Sequence, residues 1–119
     1  MDKATQSDAG QGKTVYEIVI GVDEAGKIQM AEDGYGYRDK YVEWSCSNPD
    51  YSFALLFKVA GMMPFKDDAN GGYADPGGEI CFKVKKDAPT GFPYKYAVIV
   101  QHQYTGAIDV VDPKFIVKG

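Results

Sequence analysis

The sequence predicts an all-β fold: an antiparallel β-sandwich of seven or eight strands, immunoglobulin-like or cupredoxin-like. Three observations carry this. Apolar and polar residues alternate with a period of two through most of the chain. No helical period persists beyond about ten residues. Turn clusters of Gly, Pro, Asn and Asp recur at short spacing, and 9 Tyr, 6 Phe and 14 Gly favour strands and tight turns over helices.

The elements follow in order. Residues 1–12 are polar and Gly-rich and are expected to form a flexible N-terminal tail, leaving 13–119 as a single sandwich domain. Strand 14–22 alternates Tyr16, Ile18, Ile20 and Val22 against a mixed face. The turn 23–26 leads to a short strand at 27–30, and 31–40 reads as a loop with Gly34 and Gly36 among aromatic residues. Strand 41–46 carries Val42, Trp44 and Cys46 on one face. After the Ser47-Asn48-Pro49-Asp50 turn, strand 51–59 is apolar enough to be central. The stretch 61–78 is the longest irregular segment. Strand 79–85 points Ile80, Phe82 and Val84 inward, and 86–93 is a loop. Strand 94–102 and a final strand at 107–118 form a closing hairpin across the Tyr104-Thr105-Gly106 turn.

Composition excludes several classes. The net charge is -4 with no basic cluster, which argues against nucleic acid or an anionic membrane as partner. No apolar run approaches the ~20 residues of a membrane span. The N-terminal residues lack the apolar core of a signal peptide, so a cytoplasmic location is the default expectation. Cys46 and Cys81 lie on opposite phases of their strands, which predicts two reduced thiols, one of them in the core. His102 is the single histidine, so the two-His, one-Cys set of blue copper is missing. Asp68, Asn70 and Glu79 only touch calcium-loop spacing, with Tyr73 where that loop needs Gly. No metal or other cofactor is expected.

Two Asp-Pro bonds remain. Asp75-Pro76 precedes Gly77-Gly78 and reads as a plain turn. Asp112-Pro113 is different, because apolar residues run up to it and resume after it: Asp109-Val110-Val111-Asp112-Pro113-Lys114-Phe115-Ile116-Val117. Proline cannot donate to a ladder and is kept from strand interiors. The bond is also chemically weak. The Asp side chain can attack its own carbonyl, and the tertiary proline nitrogen is readily protonated as it leaves. A two-residue hairpin turn sets Asp112 opposite Ala97, with Lys95 on the same face and within reach of a long side chain. A bulge at Pro113 would break that count. Packing beside Tyr94, Tyr96 and Ile99 is expected to desolvate the amine, favouring a neutral Lys95 and a protonated Asp112.

Tyr94-Lys95-Tyr96-x-Val98-x-Val100, followed by Asp109-Val110-Val111-Asp112-Pro113-x-x-Ile116-Val117, resembles the DP-EP family of small bacterial β-sandwich proteins. The resemblance implies an aspartic-type, self-cleaving endopeptidase whose substrate is its own chain. The scissile bond would be Asp112–Pro113, Lys95 would capture the released Asp112 in an isopeptide-type link, and the C-terminal strand would stay bound. An assisting acid is expected, with Asp109, Glu17 and Glu43 as candidates. The competing reading is a non-catalytic module that binds a protein or carbohydrate through 31–40 and 61–78, with Tyr35-Gly36-Tyr37 serving packing or sugar stacking. A third is a structural subunit that assembles through strand edges, and association with further copies of the chain stays open under all three.

Overall fold

The computed structural model describes residues 4–6, 14–58 and 61–119. Among these, eleven strands form two sheets and no α-helix occurs. The first sheet has the order β1 (Ala4–Gln6), β2 (Thr14–Val22), β5 (Tyr41–Cys46), β8 (Glu79–Lys83), with β3 (Ile28–Gln29) also on β2. The second runs β4 (Asp33–Tyr37), β11 (Lys114–Lys118), β9 (Pro93–His102), β6 (Tyr51–Phe57), β7 (Gly71–Ala74), with β10 (Ile108–Val111) also on β9. No described helix is long and apolar enough to cross a membrane.

The all-β, sandwich-like architecture is as expected, but both sheets are mixed rather than antiparallel. β2 runs parallel to β5, and β4 runs parallel to β11. The strand count is also higher. Ala4–Gln6, inside the expected tail, pairs with β2 as Ala4↔Tyr16 through Gln6↔Thr14. The expected loop 31–40 contains β4, and the irregular stretch 61–78 contains β7 and the 3₁₀ turn Lys66–Asp68. The rest of the expected tail, and residue 59 of the expected strand 51–59, lie outside the described residues.

The alternation explains the core. Trp44 is fully buried between the sheets, and the rings of Phe82, Phe115, Tyr96, Phe65 and Phe57 surround it at centroid distances of 5.7 to 6.2 Å. Its indole N–H donates to the Tyr96 hydroxyl at 3.1 Å. That bond satisfies two polar groups that would otherwise be costly to bury. Burial pushes the Tyr96 phenol up to about 12. Met63 and Phe65 plug the core from a stretch whose sequence reads as loop.

The glycines of β4 are a packing device. A Cβ at Gly36 would lie 2.5 Å from Phe115 Cζ, and one at Gly34 would lie 2.9 Å from Ile18 Cδ1. The flanking tyrosines have partners of their own: Tyr37 packs against Tyr16 with the rings tilted and their centroids 4.5 Å apart, and the Lys118 ammonium sits 4.0 Å from the Tyr35 ring centroid. This favours packing over sugar stacking for Tyr35-Gly36-Tyr37. Asp75-Pro76 forms the expected turn, closed by the Gly78 N–H on Asp75 O, with Gly77 at φ +84°. No disulfide joins Cys46 and Cys81; the first is half-buried against the core and the second exposed.

Candidate site at the Asp112–Pro113 bond

The closing hairpin has the expected register. β10 pairs with β9 from Ile108↔Gln101 to Val111↔Val98. β11 continues on the same edge of β9 from Lys114↔Lys95 to Ile116↔Pro93. The count runs through Asp112 and Pro113 without a bulge, so Asp112 faces Ala97. The turn itself spans 103–106 rather than two residues, closed by His102 N–H on Ala107 O and Gly106 N–H on His102 O. An even-numbered turn leaves the facing of the side chains unchanged.

Asp112 and Pro113 form the break between the two strands. Pro113 is buried, in phase with Phe115 and Val117, and its carbonyl accepts from the Tyr96 N–H at 3.2 Å. Asp112 is exposed on the outer face. The Lys95 ammonium donates to the main-chain carbonyl oxygen of Asp112 at 2.9 Å. The Lys58 ammonium meets the Asp112 carboxylate at 2.6 Å. Lys58 follows β6 directly, and its N–H donates to Lys95 O, which sets the two amines side by side. One lysine therefore addresses the peptide carbonyl and the other the side chain of the same residue.

The expected protonation of Asp112 is reversed. The hydrogen bond from Lys58 holds the Asp112 carboxyl below its ordinary value; burial opposes it, and the charges of Lys58 and Lys95 add to the lowering. Asp112 is a carboxylate. Lys95 is exposed, so the expected desolvation is absent. The alternation that buries Tyr94 and Tyr96 sends Lys95 to the opposite face.

None of the three candidate acids is held against the bond. Asp109 Oδ2 accepts from the Ile28 N–H at 2.9 Å, tying β10 to β3 across the two sheets. Glu17 and Glu43 face each other on β2 and β5 in the other sheet. Burial, then the charges of Glu79 and Glu17, push the Glu43 carboxyl up. Two residues beside the bond escaped sequence reasoning. Lys58 lies 54 positions from Asp112 and carries no local signal. Glu32 lines, with Ile28, Met30, Ala31, Val111 and Asp112–Pro113, an open pocket of about 240 Å³ along the bond. The Glu32 carbonyl accepts from the Lys114 N–H at 2.8 Å, which anchors the chain just past the proline.

No known family model matches the chain, and no curated protein matches it. Among the described residues no group of three or more His, Cys, Asp or Glu is placed to hold a metal ion. Asp68, from the calcium-like spacing, is instead paired with Lys85 at 2.6 Å.

Proposed function

We propose that the chain cleaves its own Asp112–Pro113 bond, with Lys95 polarising the carbonyl that is attacked. The observation that carries this reading is the Lys95 ammonium 2.9 Å from the Asp112 carbonyl oxygen. A charged donor at that distance polarises the carbonyl and lies beside the oxygen on which negative charge would develop. An ionised Asp112 suits the nucleophile's role. Its carboxylate adds to its own carbonyl carbon, and the negative charge on the carbonyl oxygen develops against Lys95. Collapse breaks the C–N bond, and the proline nitrogen leaves as an amine after taking a proton from water or a neighbouring ammonium. The resulting cyclic anhydride is opened by water, giving two carboxyls, or by a lysine amine that has lost its proton, giving an amide. Opening at the main-chain carbonyl joins Lys95, and opening at the side-chain carbonyl joins Lys58. Either amide product is one water lighter than the hydrolysed one. Residues 114–118 stay in place because they pair with β4 on one side and with β9 on the other.

The test is intact mass spectrometry under denaturing conditions on protein aged at neutral and mildly acidic pH. The expected products are the 1–112 fragment and the 113–119 peptide. Lys95→Met should slow bond breaking, and Asp112→Asn should change its course by removing the carboxylate. A single intact mass over weeks at both pH values refutes the proposal. Cleavage at an unchanged rate in Lys95→Met would remove Lys95 from the bond-breaking step.

A further inference from the structure

We propose that the outer face of the second sheet is a docking surface for a second copy of this chain. The face is apolar where solvent-facing sheets are normally polar. Cross-strand pairing lines up Val110, Ile99, Ala54 and Tyr73 in one row across β10, β9, β6 and β7. Leu56 and Ile108 flank it. Val110 is 51% exposed, Leu56 52%, Ile108 62% and Tyr73 66%. A contiguous patch of this kind, rimmed by charge, is characteristic of an interaction site.

Charge selects the occupant. At one end of β6 stands Lys58, beside Lys95, with Asp112 offsetting part of their charge. At the other end stand two exposed aspartates: Asp50 directly before β6, whose Oδ1 accepts from the Gln103 side-chain amide at 3.5 Å, and Asp75 directly after β7. The face therefore carries opposite charges at its two ends with an apolar centre, a pattern complementary to itself. A two-fold axis lying in the contact plane and crossing the strands reverses strand direction between copies. It sets the lysine end of each copy against the aspartate end of the other. An axis along the strands would oppose like charges, so only the first arrangement fits.

Four strands at ~4.8 Å spacing, and eight residue steps of ~3.3 Å from Asp50 to Lys58, give a footprint of roughly 500 Å² per copy. The total of about 1,000 Å² is at the lower bound for a specific interface. The dimer is accordingly reversible and concentration-dependent.

Sedimentation velocity over a hundredfold concentration range tests this. The expected mass rises from one chain to two. Leu56→Glu and Tyr73→Glu, both at exposed positions, should hold the chain at a single mass with an unchanged circular dichroism spectrum. Asp50→Lys and Lys58→Glu should each weaken association roughly tenfold. Mixing those two single variants should restore the dimer, because both ends of the heterodimer then carry opposite charges. A chain that keeps a single mass throughout overturns the proposal and leaves the face to a different protein. So does a dimer indifferent to Leu56→Glu and Tyr73→Glu, which would place the contact elsewhere. A mixture that fails to recover overturns the antiparallel arrangement.

Discussion

Gly36→Ala sets two opposed effects against each other. Gly36 has ordinary extended backbone, and replacing such a glycine by alanine normally stabilises a protein by ~0.4–1 kcal/mol through the unfolded chain. Here the new methyl would lie 2.5 Å from Phe115 Cζ, 3.1 Å from Phe115 Cε1 and 3.2 Å from Val84 Cγ2. The Phe115 ring has little freedom to yield. It is fully buried and sits 5.1 Å from Phe65, 5.8 Å from Trp44 and 6.2 Å from Phe57, centroid to centroid. Overpacking of this kind costs about 1–3 kcal/mol, so the net expectation is a loss of about 1–2 kcal/mol. For a domain of this size that lowers the melting temperature by about 4–8 °C. Denaturant unfolding followed by Trp44 fluorescence measures it. In a Phe115→Leu background, where the ring no longer blocks the methyl, the same substitution should cost at least ~0.5 kcal/mol less. A Gly36→Ala variant as stable as the parent, or more stable, refutes the packing account of Tyr35-Gly36-Tyr37 and reopens the surface role.

Other outcomes can be checked directly. Phe115→Ala should cost about 3–5 kcal/mol in the same unfolding assay, since the side chain is wholly buried among rings. Tyr96→Phe should cost about 1–3 kcal/mol by leaving the Trp44 indole N–H without its partner. Tyr96 also gives a pH dependence: its folded value of about 12 lies above the ordinary 10.0, so its contribution is complete below pH 10 and is lost as pH climbs through 12. An ultraviolet phenolate titration should lose its last step in Tyr96→Phe. Asp112 has the opposite sign. Its folded carboxyl is held low by Lys58, so the contribution is present above the unfolded value and lost as pH falls through the folded one. Carbon-detected NMR should place the Asp112 midpoint below that of an ordinary aspartate, and Lys58→Met should raise it; an unmoved midpoint would show that the ion pair does not form in solution.

How much of this could be read from the sequence depended on whether the signal was local. β2 and β5 are legible because each side chain reports its own face, and both strands have the bounds that alternation gave. β4 and β7 are not, because Gly34, Gly36, Gly71 and Gly72 remove the side chains that alternation is read from. At Gly36 and Gly71 the glycine has a physical reason: a Cβ at Gly36 would press on the Phe115 ring, and one at Gly71 would come within 2.5 Å of Leu55 O. The parallel pairs were equally hidden, since a crossover leaves no mark at either strand. At the site, the hairpin register was legible because an even-numbered turn fixes which side chains share a face. That rule joined Asp112 to Lys95 but could not find Lys58, which arrives from a strand on the far side of β9. The protonation expectation failed for a reason already in the sequence. If Tyr94 and Tyr96 are inward, Lys95 between them is outward and stays hydrated.

The position of β11 has a consequence for how the chain is made. It is an interior strand, and β4 is bonded to it in parallel from Lys114↔Asp33 to Lys118↔Tyr37. β11 is synthesised roughly eighty residues after β4, a separation of the kind that makes folding slow. While the polypeptide emerges from the ribosome, Asp33–Tyr37 has no second-sheet neighbour, and the cavity around Trp44 lacks the Phe115 ring. Closure of the second sheet therefore waits for Lys114–Lys118, and a chain without them leaves residues 93–95 of β9, beyond the stretch that β10 covers, without a neighbour on that edge and open to pairing with another chain.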